Sequence, residues 1–339
     1  MLGKLNAIAN RLVAPGKGLL AADEATAAIT RRFEAINIVS TEESRRDYRE
    51  VLFGATEAMT SCISGVILYD ETIRQKSANG QSLVDMIKAT GASPGIKLDI
   101  GQTPLPFCPG EVVTEGLDGL ADRVAKFAGL GAEFGKWRAV ISIGNHLPSY
   151  TSVNANTQAL ARYAAICQQG GLVPIVEPDI LMDGDHDIDK CAEVTEWVLK
   201  EQFHQLHHAR VALEGIILKP SMVMPGNRST APATPEEVAE KTLRVLKRCV
   251  PPSVPGIAFL SGGQSSVDAT RHLNLMNSIS GLPWRLTYSY SRALHADALK
   301  TWGGKPENVT AARQSFSHRA RMNSLASTGQ WTAAAEKAA

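Results

Sequence analysis

The stretch Leu213-Glu214-Gly215-Ile216-Ile217-Leu218-Lys219-Pro220 has the pattern of a short buried strand that ends on a lysine. It begins at a turn signal and continues through apolar strand residues. Pro220 has no N–H to donate to a neighbouring strand, so we expect the strand to end there. The rest of the chain must indicate what kind of sheet contains this strand and what its terminal lysine does.

Lys219 has two interpretations on this stretch alone. In the first, an apolar stem carries the ammonium out to solvent at the strand end. In the second, the amine is a nucleophile, because burial and nearby cations lower its pKa from about 10.4 towards neutrality. Both interpretations stay open until the neighbouring residues are considered.

Seven further apolar runs alternate with helical patterns along the chain. The runs occupy residues 18–24, 65–70, 95–99, 134–143, 172–179, 256–263 and 284–291, and the helical patterns occupy 40–61, 82–90, 117–127, 154–169, 188–208, 234–249, a segment from 266, 292–300 and 309–325. Near-continuous apolar strands are typical of a parallel sheet buried on both faces, and eight strand–helix units favour an α/β fold of the closed (β/α)8 TIM barrel type. A doubly wound sheet is the alternative, but it often carries G-x-G-x-x-G in its first turn, and this motif is absent.

The chain shows no linker between halves, which favours one domain. We expect a single barrel domain over residues 1–339, with an N-terminal extension over 1–16 and a mobile C-terminal tail over 326–339. Two helix starts carry strong capping patterns, Ser40-Thr41-Glu42-Glu43 and Thr234-Pro235-Glu236-Glu237.

The composition is that of an ordinary globular protein and argues against several classes. The 339 residues are 44% hydrophobic and 20% charged, with a net charge of +1 and no basic block, so nothing indicates nucleic-acid binding. The five cysteines are scattered and form no C-x-x-C, which argues against a disulfide framework and favours a reducing cytoplasm. No apolar stretch approaches the roughly 20 residues that span a bilayer, and we expect no membrane partner.

In a barrel of this class the active site lies at the carboxyl ends of the strands. Charged and polar residues occupy those ends in most of the predicted units: Asp23, Lys97, Lys136, Arg138, Glu177, Lys219, Ser261 and Arg292. Cations and carboxylates that converge on one rim shift one another's pKa values, which is typical of functional sites. This pattern favours the nucleophile interpretation of Lys219, and a structural ion-pair network is the alternative.

Two turns near the end of the chain predict a phosphate site. Leu260-Ser261-Gly262-Gly263-Gln264-Ser265 is a glycine turn that leads into a helix, and Ser289-Tyr290-Ser291-Arg292 opens another helix. Free N–H groups at a helix start bind anions. The loops after the seventh and eighth strands are also the usual phosphate site of these barrels.

The run Asp183-Gly184-Asp185-His186-Asp187-Ile188-Asp189 is similar to a calcium loop but lacks two required residues. Such a loop needs glycine at its sixth position and glutamate at its twelfth, where this chain has Ile188 and Val194. We interpret the run as a solvated loop. No H-E-x-x-H and no metal-spaced histidine or cysteine cluster occurs, so we expect a mechanism without a metal or other cofactor.

Seven motifs together resemble those of class I fructose-1,6-bisphosphate aldolases. They are Leu20-Ala21-Ala22-Asp23-Glu24, Gly95-Ile96-Lys97, Lys136-Trp137-Arg138, Pro174-Ile175-Val176-Glu177-Pro178, Leu218-Lys219-Pro220, Phe259-Leu260-Ser261-Gly262-Gly263-Gln264-Ser265 and Ser291-Arg292-Ala293-Leu294. They occur in the family's order and spacing from near residue 10 to near residue 325. The resemblance implies a (β/α)8 barrel, usually a homotetramer, that reversibly cleaves the bisphosphate into dihydroxyacetone phosphate and glyceraldehyde 3-phosphate in glycolysis and gluconeogenesis.

The resemblance also implies a role for each matched residue. Lys219 would form a Schiff base with the substrate ketone, and Glu177 would be the general acid/base of carbinolamine formation and dehydration. Asp23 would take the proton of the C4 hydroxyl, and Lys136 would lower the pKa of Lys219 and stabilise developing charge. The ketone-side phosphate would be held by Ser261, Gly262, Ser291 and Arg292, and the other end of the substrate by Lys97, Arg32 and Arg138.

The sequence departs from the family pattern in three places. Ala25-Thr26-Ala27-Ala28 stands where the family has Ser-Thr-Gly-Ser, so two hydroxyls near the aldehyde-side phosphate are missing. Ser291 replaces a usual glycine, and the chain ends Lys337-Ala338-Ala339 rather than in the tyrosine of the animal enzymes. These departures bear on substrate preference and enamine protonation. The alternatives are a Schiff-base aldolase or transaldolase for a different phosphosugar, and an inactive barrel used for binding.

Overall fold

The computed structural model describes residues 2–337, which form a closed parallel barrel surrounded by helices. The strands are β1 (Gly18–Ala22), β2 (Ile63–Leu68), β3 (Ser93–Lys97), β4 (Gly101–Pro104), β5 (Val112–Glu115), β6 (Phe134–Ile141), β7 (Val173–Ile180), β8 (Ile217–Leu218), β9 (Gly256–Phe259) and β10 (Arg285–Tyr290). The barrel has the order β1-β10-β9-β8-β7-β6-β3-β2 and closes where Leu19 pairs with Ser289. The prediction of a (β/α)8 barrel is confirmed.

Helices connect successive barrel strands and cover the outside of the barrel. They are α1 (Leu2–Leu12), α2 (Thr26–Glu34), α3 (Glu42–Phe53), α4 (Thr56–Cys62), α5 (Asp70–Arg74), α6 (Leu83–Ala89), α7 (Leu120–Gly129), α8 (Tyr150–Gln169), α9 (Ile188–His208), α10 (Pro235–Cys249), α11 (Ser266–Asn277), α12 (Arg292–Trp302), α13 (Val309–Ala326) and α14 (Ala333–Lys337), with short 3-10 helices at Leu213–Gly215 and Pro306–Asn308. The crossovers return each strand in the same direction, so all carboxyl ends meet at one rim.

The predicted capping pattern at α10 is formed, whereas the one at α3 is formed one residue later, with Thr41 as the cap and Ser44 as its partner in place of Ser40 and Glu43. Thr41 Oγ1 accepts from the Ser44 N–H at 3.0 Å, and Ser44 Oγ accepts from the Thr41 N–H at 2.9 Å. Thr234 and Glu237 make the same reciprocal pair at the start of α10, where Pro235 occupies the first helical position. Each pair satisfies backbone N–H groups that have no partner within the helix.

One predicted helix is two helices in the structure. The pattern over 40–61 predicts a single helix, but α3 ends at Phe53 and α4 begins at Thr56. Gly54 lies at the break, and a Cβ on it would fall 2.3 Å from Arg313 Nη2 of α13. The glycine therefore allows α13 to pack against the chain at a point where the helix is interrupted.

A β-hairpin between β3 and α7 was not predicted. It is formed by β4 and β5, which pair antiparallel outside the barrel. Most residues of β4 are exposed, so its sequence lacks the apolar pattern by which the barrel strands were recognised. The hairpin lies against β6, because the Thr114 hydroxyl donates to the Arg138 carbonyl at 2.8 Å.

The amino end of the barrel interior is apolar and is closed by α1. Leu19, Phe134 and Ile217 from the strands form one buried cluster with Leu5 and Leu12 of the helix, and each is at most 2% exposed. A Cβ on the glycine of β3 at residue 95 would lie 2.2 Å from the Phe134 ring, so only glycine leaves room for this ring. Burial of these side chains stabilises the closed barrel.

Three further observations concern the residues from 2 to 337. Within this range no helix is both long and apolar enough to cross a bilayer. No group of three or more metal-ligating side chains is found there, and the five cysteines are all free. The division into one domain over 1–339 with an extension over 1–16 and a mobile tail over 326–339 stays a prediction, and residues 1, 338 and 339 lie outside the described range.

Candidate active site

Four charged side chains meet inside the carboxyl end of the barrel. Lys136 Nζ lies 2.9 Å from Asp23 Oδ2 and 3.2 Å from Glu177 Oε2. Lys219 Nζ lies 3.3 Å from Glu177 Oε1. The four side chains are at most 11% exposed. The structure thus brings the four residues predicted as catalytic into one buried row of alternating charge.

The strands set the position of each member of this row. Asp23 directly follows β1, and Lys136 and Glu177 lie within β6 and β7, where alternate residues point to opposite faces of the sheet. Lys219 directly follows β8, and its N–H donates to the Val176 carbonyl at 2.8 Å. Pro220 comes next and the strand ends, as the sequence predicts.

The Lys219 ammonium does not reach solvent. Its side chain is 4% exposed, and its Nζ lies against the Glu177 carboxylate. A lysine that extends past an apolar stem keeps its ammonium hydrated, so that interpretation of Lys219 is excluded. What remains is a buried amine within a cluster of charges.

The two lysines differ in how readily each loses its proton. Burial lowers the pKa of Lys219, and the Lys136 ammonium lowers it further, so it lies below its usual value although Glu177 opposes the shift. Burial also acts to lower the pKa of Lys136, but Asp23 and Glu177 outweigh burial and raise it. The pKa of Asp23 is lowered, since Lys136 and Lys219 outweigh the effect of its burial. Lys219 is therefore the lysine suited to act as a neutral nucleophile.

Arg138 and Lys97 lie beside this row, each held by an aspartate. Arg138 Nη2 lies 2.6 Å from Asp179 Oδ2, and Asp179 also accepts from the Ser221 hydroxyl at 3.0 Å. Lys97 Nζ pairs with the Asp99 carboxylate and donates to the Asp99 carbonyl at 2.7 Å. The Arg138 side chain is 41% exposed, so its guanidinium is accessible to an anion from solvent.

Arg32 belongs to a third cluster, which is built on Glu24, the residue after Asp23 in the chain. Its Nη1 pairs with Glu24 and donates to the Ser291 hydroxyl at 3.1 Å. Burial raises the pKa of Glu24, but Arg49 and Arg32 outweigh it and hold the pKa well below the usual value. Glu24 is therefore a fixed negative charge that anchors two arginines.

The predicted phosphate turn lies beside Arg292. Ser261 is buried, and Gly262 and Gly263 have φ values of 57° and 93°, which side chains rarely adopt. Ser265 then caps α11, and Arg292 Nη2 lies 3.9 Å from the position of a Cβ on Gly263. The structure thus brings the glycine turn and this arginine together at the rim, as the sequence predicts.

Sequence reasoning missed six residues that contact these charged side chains or their partners. The missed residues are Glu24, Arg49, Asp99, Asp179, Ser221 and His295. One signal was present, because Asp99 and Asp179 each lie two residues after a predicted site residue, Lys97 and Glu177. Residues two apart on a strand share a face, so this spacing predicts side chains at the same site.

Comparisons with known proteins agree with this geometry. The family model described as fructose-bisphosphate aldolase class-I matches residues 4–339. A fructose-bisphosphate aldolase of Dictyostelium discoideum is 49% identical over 331 residues, covering 97% of this chain and 93% of the relative. Cytosolic fructose-bisphosphate aldolase 6 of Arabidopsis thaliana is 52% identical over 318 residues, covering 94% and 88%.

A solved structure is similar over the same length. It is the fructose-bisphosphate aldolase of Plasmodium falciparum, in a ternary co-crystal with TRAP and a small-molecule inhibitor. The TM-score is 0.95 at 46% sequence identity, and the alignment covers 98% of this chain and 96% of that one. Such agreement extends to the barrel as a whole and is not confined to the short motifs.

Proposed function

The chain belongs to the class I fructose-bisphosphate aldolase family, and from this premise we propose that it reversibly cleaves fructose 1,6-bisphosphate to dihydroxyacetone phosphate and glyceraldehyde 3-phosphate. The observation that carries the proposal is the buried Lys219 amine, with its lowered pKa, 3.3 Å from Glu177. A metal-independent aldolase needs such an amine to activate the ketone.

The reaction begins with attack of the neutral Lys219 nitrogen on the C2 carbonyl of the substrate. Glu177 holds the proton that the Lys219 ammonium, 3.3 Å away, gave up on becoming neutral, and it donates this proton to the C2 oxygen during the attack to form the C2 hydroxyl. The Glu177 carboxylate then takes a second proton, which the Lys219 nitrogen releases after the attack. Glu177 then returns this proton to the C2 hydroxyl, which leaves as water and gives the protonated imine. The ammonium of Lys136 lies 3.2 Å from Glu177 and stabilises the negative charge that appears on the carboxylate during the cycle.

The imine then accepts the electron pair of the bond that breaks. Asp23 takes the proton of the C4 hydroxyl, the C3–C4 bond breaks, and the electron pair passes to the imine as an enamine. Its low pKa keeps Asp23 ionised and ready to act as this base. After the aldehyde leaves, the enamine takes a proton at C3, and water hydrolyses the imine to release dihydroxyacetone phosphate and free Lys219.

The two phosphates would bind at opposite sides of this row. Ser261, Gly262, Arg292 and the backbone N–H of Ser291 would hold the ketone-side phosphate, and Arg32, Lys97 and Arg138 the other. Ala25 supports a weaker grip on the second phosphate, since as N-cap of α2 it has no side-chain hydrogen bond to offer. Clamping both ends of the substrate orients C2 towards the amine and C4 towards the base.

We also propose a cytoplasmic homotetramer that works in glycolysis and gluconeogenesis. The cytosolic designation of the Arabidopsis relative supports the location. The quaternary state rests on the family resemblance alone. Size-exclusion chromatography with light scattering tests it, and a monomer would contradict it.

Borohydride trapping tests the imine. Incubation with dihydroxyacetone phosphate and borohydride is expected to inactivate the protein irreversibly and to add the reduced adduct to the peptide that contains Lys219. Lys200, an exposed lysine of α9, serves as the internal control and must stay unlabelled. A label on another lysine, or none, contradicts the mechanism.

A substrate panel separates this function from its alternatives. The expected preferred substrate is fructose 1,6-bisphosphate, compared with fructose 1-phosphate and with sedoheptulose 7-phosphate in the presence of an acceptor aldehyde. Trapping at Lys219 together with faster turnover of another phosphosugar would indicate a different Schiff-base aldolase or a transaldolase. Binding without trapping would indicate an inactive barrel.

A further inference from the structure

The Ser291 side chain joins two parts of the site that the reaction steps leave separate. Its Oγ lies 2.7 Å from Glu24 Oε1, and it accepts from Arg32 Nη1 at 3.1 Å. His295 Nε2 lies 3.2 Å from the same oxygen. One hydroxyl at the start of α12 therefore contacts a residue that follows β1 and a residue of α2.

The hydroxyl can serve both neighbours at once. A serine hydroxyl has one donor and two acceptor positions, and Glu24 as an ionised carboxylate can only accept. Ser291 therefore donates to Glu24 and accepts from Arg32. The Arg32 Nη1 group is fixed by two acceptors rather than one, so its guanidinium cannot turn freely about a single contact.

The buried side of this cluster is rigid. Glu24 is 5% exposed and also accepts from Arg49 Nη2 at 2.5 Å, and Arg49 is 3% exposed. His295 is fully buried, and its Nδ1 lies 2.7 Å from the Tyr48 hydroxyl. A carboxylate held in this way gives Ser291 a fixed partner.

The open side of the cluster is Arg32. Its side chain is 26% exposed, and the polar contacts that it makes within residues 2–337 involve Nη1 alone. The other guanidinium nitrogens are thus available to an anion, for which the planar fork of arginine is suited. The next residue along α2, Phe33, packs 6.0 Å from the Trp302 ring of α12, so the two helices are held together below the polar contact.

We propose that Ser291 is a positioning residue that links recognition of the two substrate phosphates, an inference that rests on the proposed function. Its backbone opens α12 at the ketone-phosphate end. Its hydroxyl orders Arg32 at the aldehyde-phosphate end, where Ala25 and Ala28 provide no hydroxyls of their own. The preference for a bisphosphate over a monophosphate therefore depends on one serine hydroxyl.

Replacing Ser291 with alanine tests the link, because alanine keeps the backbone N–H and removes the hydroxyl. We expect kcat/KM for fructose 1,6-bisphosphate to fall about tenfold, the lower end of the effect of one lost hydrogen bond to a charged group. For fructose 1-phosphate, which lacks the second phosphate, kcat/KM should stay within about twofold. Ser291→Thr retains the hydroxyl and should restore the native ratio of the two values.

A double-mutant cycle separates positioning from a general structural role. In an Arg32→Ala background, Ser291→Ala should cause no further change in the ratio, since the hydroxyl acts through that arginine. Ser64→Ala is the matched control, because it removes a buried serine hydroxyl that bonds to the Leu12 and Gly18 carbonyls at the other end of the barrel. Ser64→Ala should leave the ratio of the two kcat/KM values at the native value, whatever its effect on the melting temperature.

The outcomes are distinct. An equal loss for both substrates in Ser291→Ala, or additive effects in the double mutant, overturns the inference. Borohydride trapping with dihydroxyacetone phosphate should still label Lys219 in Ser291→Ala, since this ligand has only the ketone-side phosphate and alanine keeps the backbone N–H. Failure of trapping in the native chain would reject the proposed imine mechanism. The inference is judged separately, by dissociation constants of both sugars in Lys219→Met and Lys219→Met/Ser291→Ala. The bisphosphate preference should be smaller in the double variant, and an equal preference in the two variants would contradict the inference.

Discussion

The two ends of the barrel interior are built on the same eight strands but from opposite kinds of side chain. At the amino end, Leu19, Phe134 and Ile217 pack against α1 in an apolar cluster. At the carboxyl end, Lys136 and Glu177 are buried to a similar degree but carry charge. Burial of apolar side chains stabilises the fold, whereas burial of charges costs desolvation that pairing only partly offsets. The apolar cluster at the amino end stabilises the closed barrel. This stable barrel in turn holds the charged side chains at the carboxyl end close together and away from water.

The largest expected effect comes from removing the amine at the carboxyl end. Lys219→Met should lower kcat by more than about 10⁴-fold, as loss of a covalent nucleophile does, and abolish borohydride trapping. The melting temperature should not fall, because burial disfavours the charged form of Lys219 and Lys136 remains beside Glu177 in the variant. Steady-state kinetics and thermal unfolding measure the two quantities. Lys200→Met on α9 is the control and should have native activity. If Lys219→Met keeps more than about a hundredth of the native kcat, Lys219 is not the covalent nucleophile.

The next largest effect belongs to the amino end. Phe134→Ala should lower the free energy of unfolding by about 3–5 kcal/mol, since it leaves a cavity in a fully buried cluster. The folded protein should keep kcat within about twofold at temperatures below the transition. Urea unfolding and kinetics at 20 °C below the melting temperature are the measurements. Phe107→Ala is the matched control, because that ring is fully exposed and its loss should change stability by less than about 0.5 kcal/mol. A large loss of kcat in Phe134→Ala would show that the two ends are not separable.

The smallest expected effect is a shift in pH dependence. The Lys136 ammonium helps to lower the pKa of Lys219, so Lys136→Met should move the acid limb of the trapping rate to higher pH. The pKa of Lys136 is itself raised by folding, so its contribution to stability is fully present below about pH 10.4 and is lost as the pH rises through the higher folded value. The variant should therefore be less stable than the native protein at pH 7.

The measurement is the rate of borohydride trapping with dihydroxyacetone phosphate between pH 5 and 9. Lys241→Met is the control, because Lys241 pairs with Asp189 on the outer helices and should leave the profile unchanged. An acid limb that stays in place or moves to lower pH in Lys136→Met would show that burial alone sets the pKa of Lys219.

Most of the barrel architecture could be predicted from the sequence. Apolar strands such as 172–179 alternate with capped helices, and that alternation alone predicts parallel strands with one functional rim. Lys136, Glu177 and Lys219 could be named because each interrupts an apolar strand or ends one. A charge inside an apolar run conflicts with the local pattern, and such conflicts are expected at functional sites.

The features that were missed depend on contacts between distant segments. Gly54, at the break between α3 and α4, lies against Arg313, which is far along the chain. Glu24 accepts from the Ser291 hydroxyl, 267 positions away, and no sequence periodicity predicts such a contact. Asp179 follows Glu177 on the same face of its strand, so its place at the site was predictable, but its pairing with a guanidinium was not.

Closure of the barrel also depends on the order in which the strands are synthesised. β1 can pair with its second neighbour, β10, only after β10 has been synthesised. At this junction the Thr287 hydroxyl donates to the Lys17 carbonyl, and the two residues are 270 positions apart. A ribosome adds about 5–20 residues per second, so roughly 15–55 s pass between synthesis of the two strands. Throughout that interval β1 has an open edge that can pair with strands of other chains. We therefore expect the rate of translation and chaperone binding to the nascent chain to influence how much of the protein reaches the closed barrel.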